Sequence, residues 1–150
     1  MSKSEWGNAT WFMMHTLAFK LKKEYENEIQ PLFSFFHRIC CNLPCPSCSD
    51  HARTNLSKLR KDRIKTKEDL VHVLWEFHNM VNKQTKKKDF PKELHDKLYE
   101  EKNVSQVLYI FFQVMSKRMG NEKGLIYTWT RKRAVADFYN YIKDKRHIFT

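Results

Sequence analysis

The stretch Leu43-Pro44-Cys45-Pro46-Ser47-Cys48-Ser49-Asp50-His51-Ala52 carries the densest chemistry in the chain and predicts where one helix ends and the next begins. Two cysteines separated by two residues can close a small disulfide ring. The prolines on either side of the first cysteine fix the backbone there and suit the first turn of a helix. A helix start offers unpaired N–H groups and a positive dipole end, which favour a thiolate. Cys45 and Cys48 are therefore a candidate redox pair.

Two other interpretations of this pair stay open at this point. A C-x-x-C pair can be half of a zinc site, but such sites usually need a second Cys or His pair at short spacing, and none follows downstream. One compact four-ligand set is still available: Cys45, Cys48 and His51 with either Cys40 or Cys41. A thioredoxin-like pair would belong to a strand-helix-strand context. The neighbouring sequence predicts no such strands.

Composition favours a single helical domain. The chain has 150 residues, only three glycines and a formal net charge of +11. This length is typical of one domain with its own core, and the scarcity of glycine together with abundant Leu, Phe, Met, Lys and Glu favours an all-α fold. The charge predicts an anionic partner, which can be nucleic acid, a membrane surface or a phosphate-bearing cofactor.

The ends and the cysteine spacing predict an intracellular protein. The N-terminus lacks the apolar core of a signal peptide, and no apolar run is long enough for a membrane span. All four cysteines lie within residues 40–48, unlike the dispersed cysteines of secreted disulfide-rich domains.

The first predicted helix starts at Ser4 and carries two lines of residues. Its apolar stripe consists of Trp6, Thr10, Met13, Leu17 and Leu21. A second line is formed by Gly7, Trp11 and His15, which steps of four place above one another on one face. A glycine, an indole and an imidazole in a row suit a wall for a flat ligand. The alternative is a buried tryptophan with a hydrogen-bonded core histidine.

The next two helices flank the cysteine pair. A polar turn over residues 25–30 leads to Pro31, and a second helix from there to Leu43 presents Leu32, Phe33, Phe36, Ile39 and Cys40 on one face. A third helix is predicted from Pro46 to about Arg60, with late cations that suit its dipole.

The fourth predicted helix is rich in functional residue types. Thr66 is its predicted N-cap. His78, Asn79 and Asn82 share a face one turn beyond Trp75. Buried amides need hydrogen-bond partners, which either a core network or the edge of an adenine or flavin ring supplies. Four lysines follow, suited to a pyrophosphate or simply to a solvated surface: Lys83, Lys86, Lys87 and Lys88.

The remainder of the chain predicts a short fifth helix and a helical extension. Pro91 begins the fifth helix, through Leu94, Leu98 and Tyr99. A further stripe runs through Val104, Val107, Leu108, Phe111 and Met115, with Gly120 or Asn121 as its C-cap. Residues 125–130 read as a short extended piece before a last stripe of Val135, Phe138, Tyr139 and Ile142. The outward face is predicted to be basic: Lys123, Arg131, Lys132, Arg133, Lys143, Lys145 and Arg146.

Three separated motifs together resemble the Erv/ALR family of FAD-linked sulfhydryl oxidases. They are Trp6-Gly7-Asn8-Ala9-Thr10-Trp11 with His15, then Leu43-Pro44-Cys45-Pro46-Ser47-Cys48 with His51-Ala52, then His78-Asn79-Met80-Val81-Asn82. Their order and spacing match the family as well. The greatest similarity is to the minimal oxidases of large cytoplasmic DNA viruses, which implies the host cytoplasm or the virion as location.

The resemblance implies a four-helix bundle with a short fifth helix over residues 1–102, holding FAD and forming a homodimer. Residues 103–150 lie outside it. Cys45 resembles the cysteine that exchanges with a dithiol protein, such as a thioredoxin-like one, and Cys48 the cysteine beside the flavin; O₂ is the final acceptor. The positions that match FAD contacts are Gly7, Trp11, His15, Cys48, His51, His78, Asn79, Val81, Asn82, Lys83, Lys87 and Tyr99.

The chain departs from the family's pattern in its cysteines. Cellular members have a structural disulfide at positions that are Trp75 and Lys92 here, and this chain has no cysteine outside residues 40–48 to form a shuttle pair. Electron entry is therefore predicted to be direct or to involve Cys40 or Cys41. The competing class is a basic helical module that binds nucleic acid and uses its cysteines for zinc, an alternative that rests mainly on the charge.

Overall fold

The computed structural model describes residues 2–117 and 125–150, and these ranges are all-α, as predicted. Seven α-helices lie within them: α1 Lys3–Lys20, α2 Ile29–Cys40, α3 Pro46–Ser57, α4 Lys67–Gln84, α5 Lys92–Glu100, α6 Val104–Ser116 and α7 Leu125–Lys145. Short 3₁₀ helices span Lys23–Glu28, Lys61–Arg63 and Arg146–Ile148. None of the helices in the described ranges combines the length and apolar character needed to cross a bilayer.

Side-chain caps set several helix starts. Thr66 is the N-cap of α4, as predicted, and forms a capping box: its hydroxyl accepts from the backbone N–H of Asp69, whose carboxylate accepts from the backbone N–H of Thr66. The hydroxyl of Ser2 caps α1 and the side chain of Asn103 caps α6. Each cap satisfies backbone donors that have no partner within the helix and typically contributes about 1 kcal/mol.

Helix α1 lies at the centre of the fold and packs against α4, α5 and α6. The predicted stripe is buried throughout, and Met13 and Leu17 of α1 are fully enclosed together with Leu21, the C-cap of this helix. Facing them in one core are Leu32, Phe33 and Phe36 of α2, Leu70, Leu74 and Phe77 of α4, and Leu108, Phe111 and Met115 of α6. Each large apolar side chain buried in this way contributes about 1.5–3 kcal/mol to stability.

The last two helices bury side chains in the same core. Phe138 of α7 is fully buried and packs on Phe111 of α6, with ring centroids 5.9 Å apart, and on Phe36 of α2, 6.3 Å away. The C-terminal end is tied to the end of α1, where the backbone N–H of Thr150 donates to the carbonyl of Lys20. The division of the chain at residues 102 and 103 stays a prediction.

Several local predictions were wrong. The segment predicted as a polar turn contains the 3₁₀ helix Lys23–Glu28, and α3 ends at Ser57 rather than near Arg60. Residues 125–130 are the first part of α7, not an extended piece. Their β-branched and aromatic residues favour strands locally, but the described residues offer this segment no strand to pair with, and it continues into a helix whose inner face is packed in the core.

Three side chains differ from the predictions in whether they are buried or exposed. Arg131 is buried with 2% of its surface exposed, so it does not belong to the basic face of α7. Leu94 and Tyr139 are exposed instead of core residues. In α5 the buried residues are His95 and Tyr99, which are four positions apart and share a face. Gly120, Asn121 and Lys123 lie outside the described residues.

Candidate active site

Cys45 and Cys48 form a disulfide at the start of α3, with their Cα atoms 5.1 Å apart. Cys45 is the N-cap of this helix and Pro46 lies in its first turn. The backbone N–H of Cys48 donates to Sγ of Cys45 over 3.2 Å. When the bond is reduced, this donor and the dipole of α3 favour a thiolate on Cys45. The local sequence thus positions an accessible and reactive pair.

The disulfide lies against a small apolar cluster separate from the main core. This cluster consists of Trp6, Ala9, Leu43 and Val114, and both cysteines pack on it while staying partly exposed. Trp6 and Ala9 belong to the start of α1, and Val114 belongs to α6. The redox pair is therefore held between the first motif of the sequence and a helix that lies outside the three motifs.

A hydroxyl network holds the backbone that enters the redox pair. The Tyr127 hydroxyl of α7 donates to the carbonyl of Leu43 and lies 3.0 Å from Oγ of Ser49. Ser49 in turn accepts from the backbone N–H of Leu43 over 2.8 Å. Sequence reasoning missed Tyr127, because it lies far along the chain from Leu43 and Ser49 and no local pattern joins the three residues.

Trp11, from the predicted line of Gly7, Trp11 and His15, stacks on His78 of α4, and the two rings form a flat aromatic wall. Their ring centroids are 3.9 Å apart and their planes differ by 6°. His15 continues the stack, with its centroid 5.5 Å from that of Trp11. One turn before Trp11, a Cβ added to Gly7 would meet no atom within 4 Å. Gly7 thus leaves open space beside the aromatic wall.

Behind this wall runs a chain of hydrogen-bonded imidazoles. Nε2 of His15 lies 2.9 Å from Nδ1 of His78, and Nδ1 of His15 lies 3.0 Å from Nε2 of His95. Nδ1 of His95 lies 3.0 Å from Oδ1 of Asp96. Tyr99 packs against both inner rings, 4.8 Å from that of His15 and 4.7 Å from that of His95. His95 was missed by sequence reasoning, although its spacing of four from Tyr99 could have placed it on this face.

All three histidines are held neutral. Burial, followed by the proximity of His78 and His95, places the pKa of His15 well below its ordinary value. Burial also lowers the pKa of His78 to about 4, with smaller effects from His95 and the nearby cation Lys87. The pKa of His95 is lowered chiefly by burial, and its bond to Asp96 opposes that effect. The wall is thus uncharged at neutral pH.

The polar residues on the next face of α4 are engaged within the protein. The Asn79 amide accepts from the backbone N–H of Phe90 over 2.8 Å and donates to the carbonyl of Phe90 over 3.3 Å. The indole N–H of Trp75 donates to the same carbonyl over 2.6 Å, and Asn82 donates to Asn79. These bonds tie α4 to the segment before α5. Beside them lies an open cleft of about 420 Å³ whose lining includes Asn79 and Lys83.

The remaining predicted site residues lie at varied depths. Val81 is partly buried and packs on the main core, whereas Asn82 and Tyr99 are buried. Lys83 and Lys87 are exposed near the end of α4, and His51 is exposed on α3. The structure therefore brings Trp11, His15, His78 and Tyr99 into one cluster and leaves the cations on the surface beyond it.

The two cysteines before the redox pair differ in environment. Cys40 is 3% exposed within the main core, where its Sγ lies 3.7 Å from Sδ of Met14, and burial raises the pKa of its thiol. Cys41 is partly exposed and lies 3.6 Å from Nδ1 of His37. A buried neutral thiol is a poor nucleophile, so of these two only Cys41 is placed to exchange with another disulfide.

The described ranges offer little support for the zinc alternative. No group of three or more His, Cys, Asp or Glu side chains within residues 2–117 and 125–150 is arranged to hold a metal ion. Two of the candidate ligands, Cys45 and Cys48, are joined to each other. A cysteine in a disulfide has no thiolate to offer a metal.

Comparison with known proteins points to one family. One similar curated protein is the "Probable FAD-linked sulfhydryl oxidase" of fowlpox virus, which is 28% identical over 55% of this chain and 80% of that protein. Another is the "FAD-linked sulfhydryl oxidase" of Arabidopsis thaliana, which is 29% identical over 64% of this chain and 50% of that protein. A mimivirus protein with the same description as the fowlpox one is 29% identical, over 59% of this chain and 64% of its own length. No solved structure matches the chain significantly.

The family model covers most of the site and leaves out Gly7, Val114 and Tyr127. It matches residues 8–103, which include the aromatic wall, the cysteine pair and the imidazole chain and make up more than half of the sequence. Helix α6 begins where the match ends. The motifs, the all-helical fold and this match agree, and the protein belongs to the Erv1/Alr family.

Proposed function

We propose that the protein is an FAD-dependent sulfhydryl oxidase that forms disulfide bonds in dithiol proteins and passes the electrons to O₂. The observation that carries this proposal is the disulfide of Cys45 and Cys48 at the start of α3, packed on the same helix α1 that presents Trp11. The relatives described as FAD-linked sulfhydryl oxidases support it.

The residues present fit FAD in shape and charge. A flat ring needs an aromatic surface, which the stacked Trp11 and His78 provide, and the open space at Gly7 admits a ligand close to the backbone of α1. The pyrophosphate needs cations, which Lys83 and Lys87 provide. The other proposed contacts are His15, Cys48, His51, Asn79, Val81, Asn82 and Tyr99.

The cysteine pair carries out the exchange with substrate. A substrate thiolate attacks Sγ of Cys45, a mixed disulfide forms and the Cys48 thiolate leaves. The second substrate thiolate then attacks the substrate sulfur of the mixed disulfide, which releases the Cys45 thiolate and the oxidised substrate. Two electrons and two protons leave the substrate in this exchange. The order of the two cysteines follows the family resemblance.

When bound, FAD supplies the two-electron acceptor that takes up the electrons of the reduced pair and passes them to O₂, giving H₂O₂. The proposed substrate is a protein dithiol, for example on a thioredoxin-like protein. We further propose a homodimer that acts in the host cytoplasm or the virion, in line with the viral relatives.

Two measurements on the purified protein test this function. The protein is expected to be yellow with a flavin absorbance spectrum, and to consume O₂ and produce H₂O₂ when dithiothreitol is added. Cys48→Ser should keep the spectrum and lose the O₂ consumption. A colourless protein that contains stoichiometric zinc and binds nucleic acid would instead support the competing class.

A further inference from the structure

The imidazole chain ends at a carboxylate on the protein surface. His15 and His95 have 1% and 0% of their surface exposed, whereas the side chain of Asp96 is 43% exposed. Nζ of Lys92 donates to Oδ1 of Asp96 over 2.6 Å, the same oxygen that lies 3.0 Å from Nδ1 of His95. Although burial raises it, the bonds from Lys92 and His95 bring the pKa of Asp96 below its ordinary value. Asp96 is therefore ionised at neutral pH.

An ionised carboxylate fixes the direction of every bond behind it. It can only accept, so the proton of neutral His95 is on Nδ1 and its Nε2 is an acceptor. Nδ1 of His15 must then donate to that Nε2, which leaves Nε2 of His15 as an acceptor. His78 must in turn donate through Nδ1. The imidazole chain therefore ends with a lone pair on Nε2 of His78. No residue of the described ranges is hydrogen-bonded to this nitrogen.

We propose that Asp96, acting through His95 and His15, is a positioning residue that fixes His78 as the Nδ1–H tautomer. Nε2 of His78 then presents a lone pair rather than an N–H to the cofactor site. Its chemical complement is an N–H donor, and FAD carries such donors on the adenine amine and on the imide of the flavin ring. This choice of ligand rests on the proposed function, whereas the assignment of tautomers does not.

The opposite direction of the hydrogen bonds along the three imidazoles would place two acceptors against each other at Asp96. If His78 carried its proton on Nε2, His15 would donate through Nε2 and His95 through Nε2, and Nδ1 of His95 would direct a lone pair at the Asp96 carboxylate 3.0 Å away. Two acceptors at that distance repel each other, and one of the pair is fully buried. The charge of Asp96 thus selects one of the two orientations.

The test is the histidine tautomer, measured by long-range ¹H–¹⁵N correlation NMR on the full-length protein with and without FAD. In the wild type, His15, His78 and His95 should all carry the proton on Nδ1. Asp96→Ala removes the acceptor that sets the direction, so in the protein without FAD His78 and His15 should show Nε2–H tautomers mixed with Nδ1–H in place of the single Nδ1–H form. Asp96→Asn is the matched variant: because Lys92 donates to Oδ1, the amide oxygen should stay toward His95 and preserve the wild-type tautomers. Asp62→Ala, an exposed aspartate paired with Arg60, serves as surface control.

Cofactor binding gives the second readout. Asp96→Ala should weaken FAD about tenfold, the effect of about 1.4 kcal/mol, while Asp96→Asn and Asp62→Ala should bind as the wild type does. An analogue with hypoxanthine in place of adenine identifies the donor: it should bind more weakly than FAD to the wild type if the amine donates, and equally if the imide does. Nε2–H histidines in the wild type, or tautomers unchanged in Asp96→Ala, would overturn the proposal. A protein that binds no FAD would refute the proposed function but leave the tautomer result decisive.

Discussion

The imidazole of His78 lies parallel to the indole of Trp11, with 3.9 Å between ring centroids. The two residues come from α4 and α1 and are far apart in the sequence, yet together they form one aromatic surface at the proposed cofactor site. His15 and Phe77 also pack on Trp11, so this surface is continuous with the core. Cofactor binding and fold stability should therefore depend on the same side chains.

Trp11→Ala and His78→Ala are expected to lower FAD content and thermal stability together. A ligand present at 100 times its dissociation constant stabilises the native state by about 2.7 kcal/mol, and this stabilisation is lost with the ligand. The measurements are flavin absorbance per protein and the melting temperature with and without added FAD. Trp129→Ala, which changes an indole that is 61% exposed, is the control and should leave the flavin content unchanged. Full flavin content in both wall variants would contradict this role.

Stability should fall on acidification because the buried histidines must be protonated. The pKa of His78 is lowered from 6.5 to about 4, so between these values the unfolded state binds more protons than the folded one. The contribution of neutral His78 to the free energy of unfolding is therefore complete above about pH 6.5 and is lost as pH falls toward about 4. Between these values the free energy of unfolding changes by at most about 1.4 kcal/mol per pH unit because of this residue.

The variant His78→Gln should remove this part of the slope. The free energy of unfolding is to be measured by urea denaturation at several pH values, and the difference between wild type and variant isolates the residue from titrating carboxylates. His72→Gln, exposed on the same helix, is the matched surface control. Identical slopes in wild type and His78→Gln would show that His78 is not held neutral by the fold.

Tyr127→Phe should loosen the backbone that enters the redox pair. The change removes a hydroxyl that donates to the carbonyl of Leu43 and contacts Ser49, at an expected cost of about 1 kcal/mol. Urea unfolding measures the loss, and the rate of disulfide reduction by dithiothreitol reports on the pair itself. Tyr139→Phe on the same helix is the control, since that ring is 51% exposed. Equal behaviour of the two variants would remove α7 from any role at the site.

Cys40 and Cys41 should react very differently with an alkylating reagent. In the folded, oxidised protein Cys41 is expected to be modified and Cys40 to stay intact, because burial both shields the Cys40 thiol and raises its pKa. Peptide mass spectrometry measures the extent of alkylation at each of the two cysteines. Cys40→Ser should also destabilise the fold by about 1–3 kcal/mol, since it places a hydroxyl in an apolar core. Modification at similar rates would mean that Cys40 is accessible.

The sequence was sufficient for the parts of the fold that repeat locally. Helical spacing identified the stripe of Met13, Leu17 and Leu21, and the N-cap at Thr66 was evident from the acidic first turn that follows it. The C-x-x-C pair, whose first cysteine is flanked by two prolines, predicted the redox pair, and three motifs together identified the family. The stripe, the N-cap and the cysteine pair each depend on residues within a few positions of one another, which is the range that periodicity reports. The family resemblance depends on three such local motifs in a fixed order.

Features that join distant residues were not predictable in this way. The pattern of α5 favoured Leu94, Leu98 and Tyr99 as its inner face, but of these three only Tyr99 is buried, and the other buried position is His95. The partner that makes a buried His95 stable is His15, which is in another helix. Tyr127 was hidden in a segment with strand-like composition, and its contact with Leu43 exists only in the folded chain.

The most direct test of the central claim is anaerobic reduction of the bound flavin by dithiothreitol. In the absence of O₂ the electrons cannot leave, so the visible flavin absorbance of the wild type should bleach as dithiol is added, and it should recover when air is admitted. Cys45→Ser and Cys48→Ser should keep their flavin and stay unbleached on the same timescale, while Cys41→Ser should bleach as the wild type does. A wild-type protein whose flavin does not bleach, or a Cys48→Ser protein whose flavin does, would contradict the account.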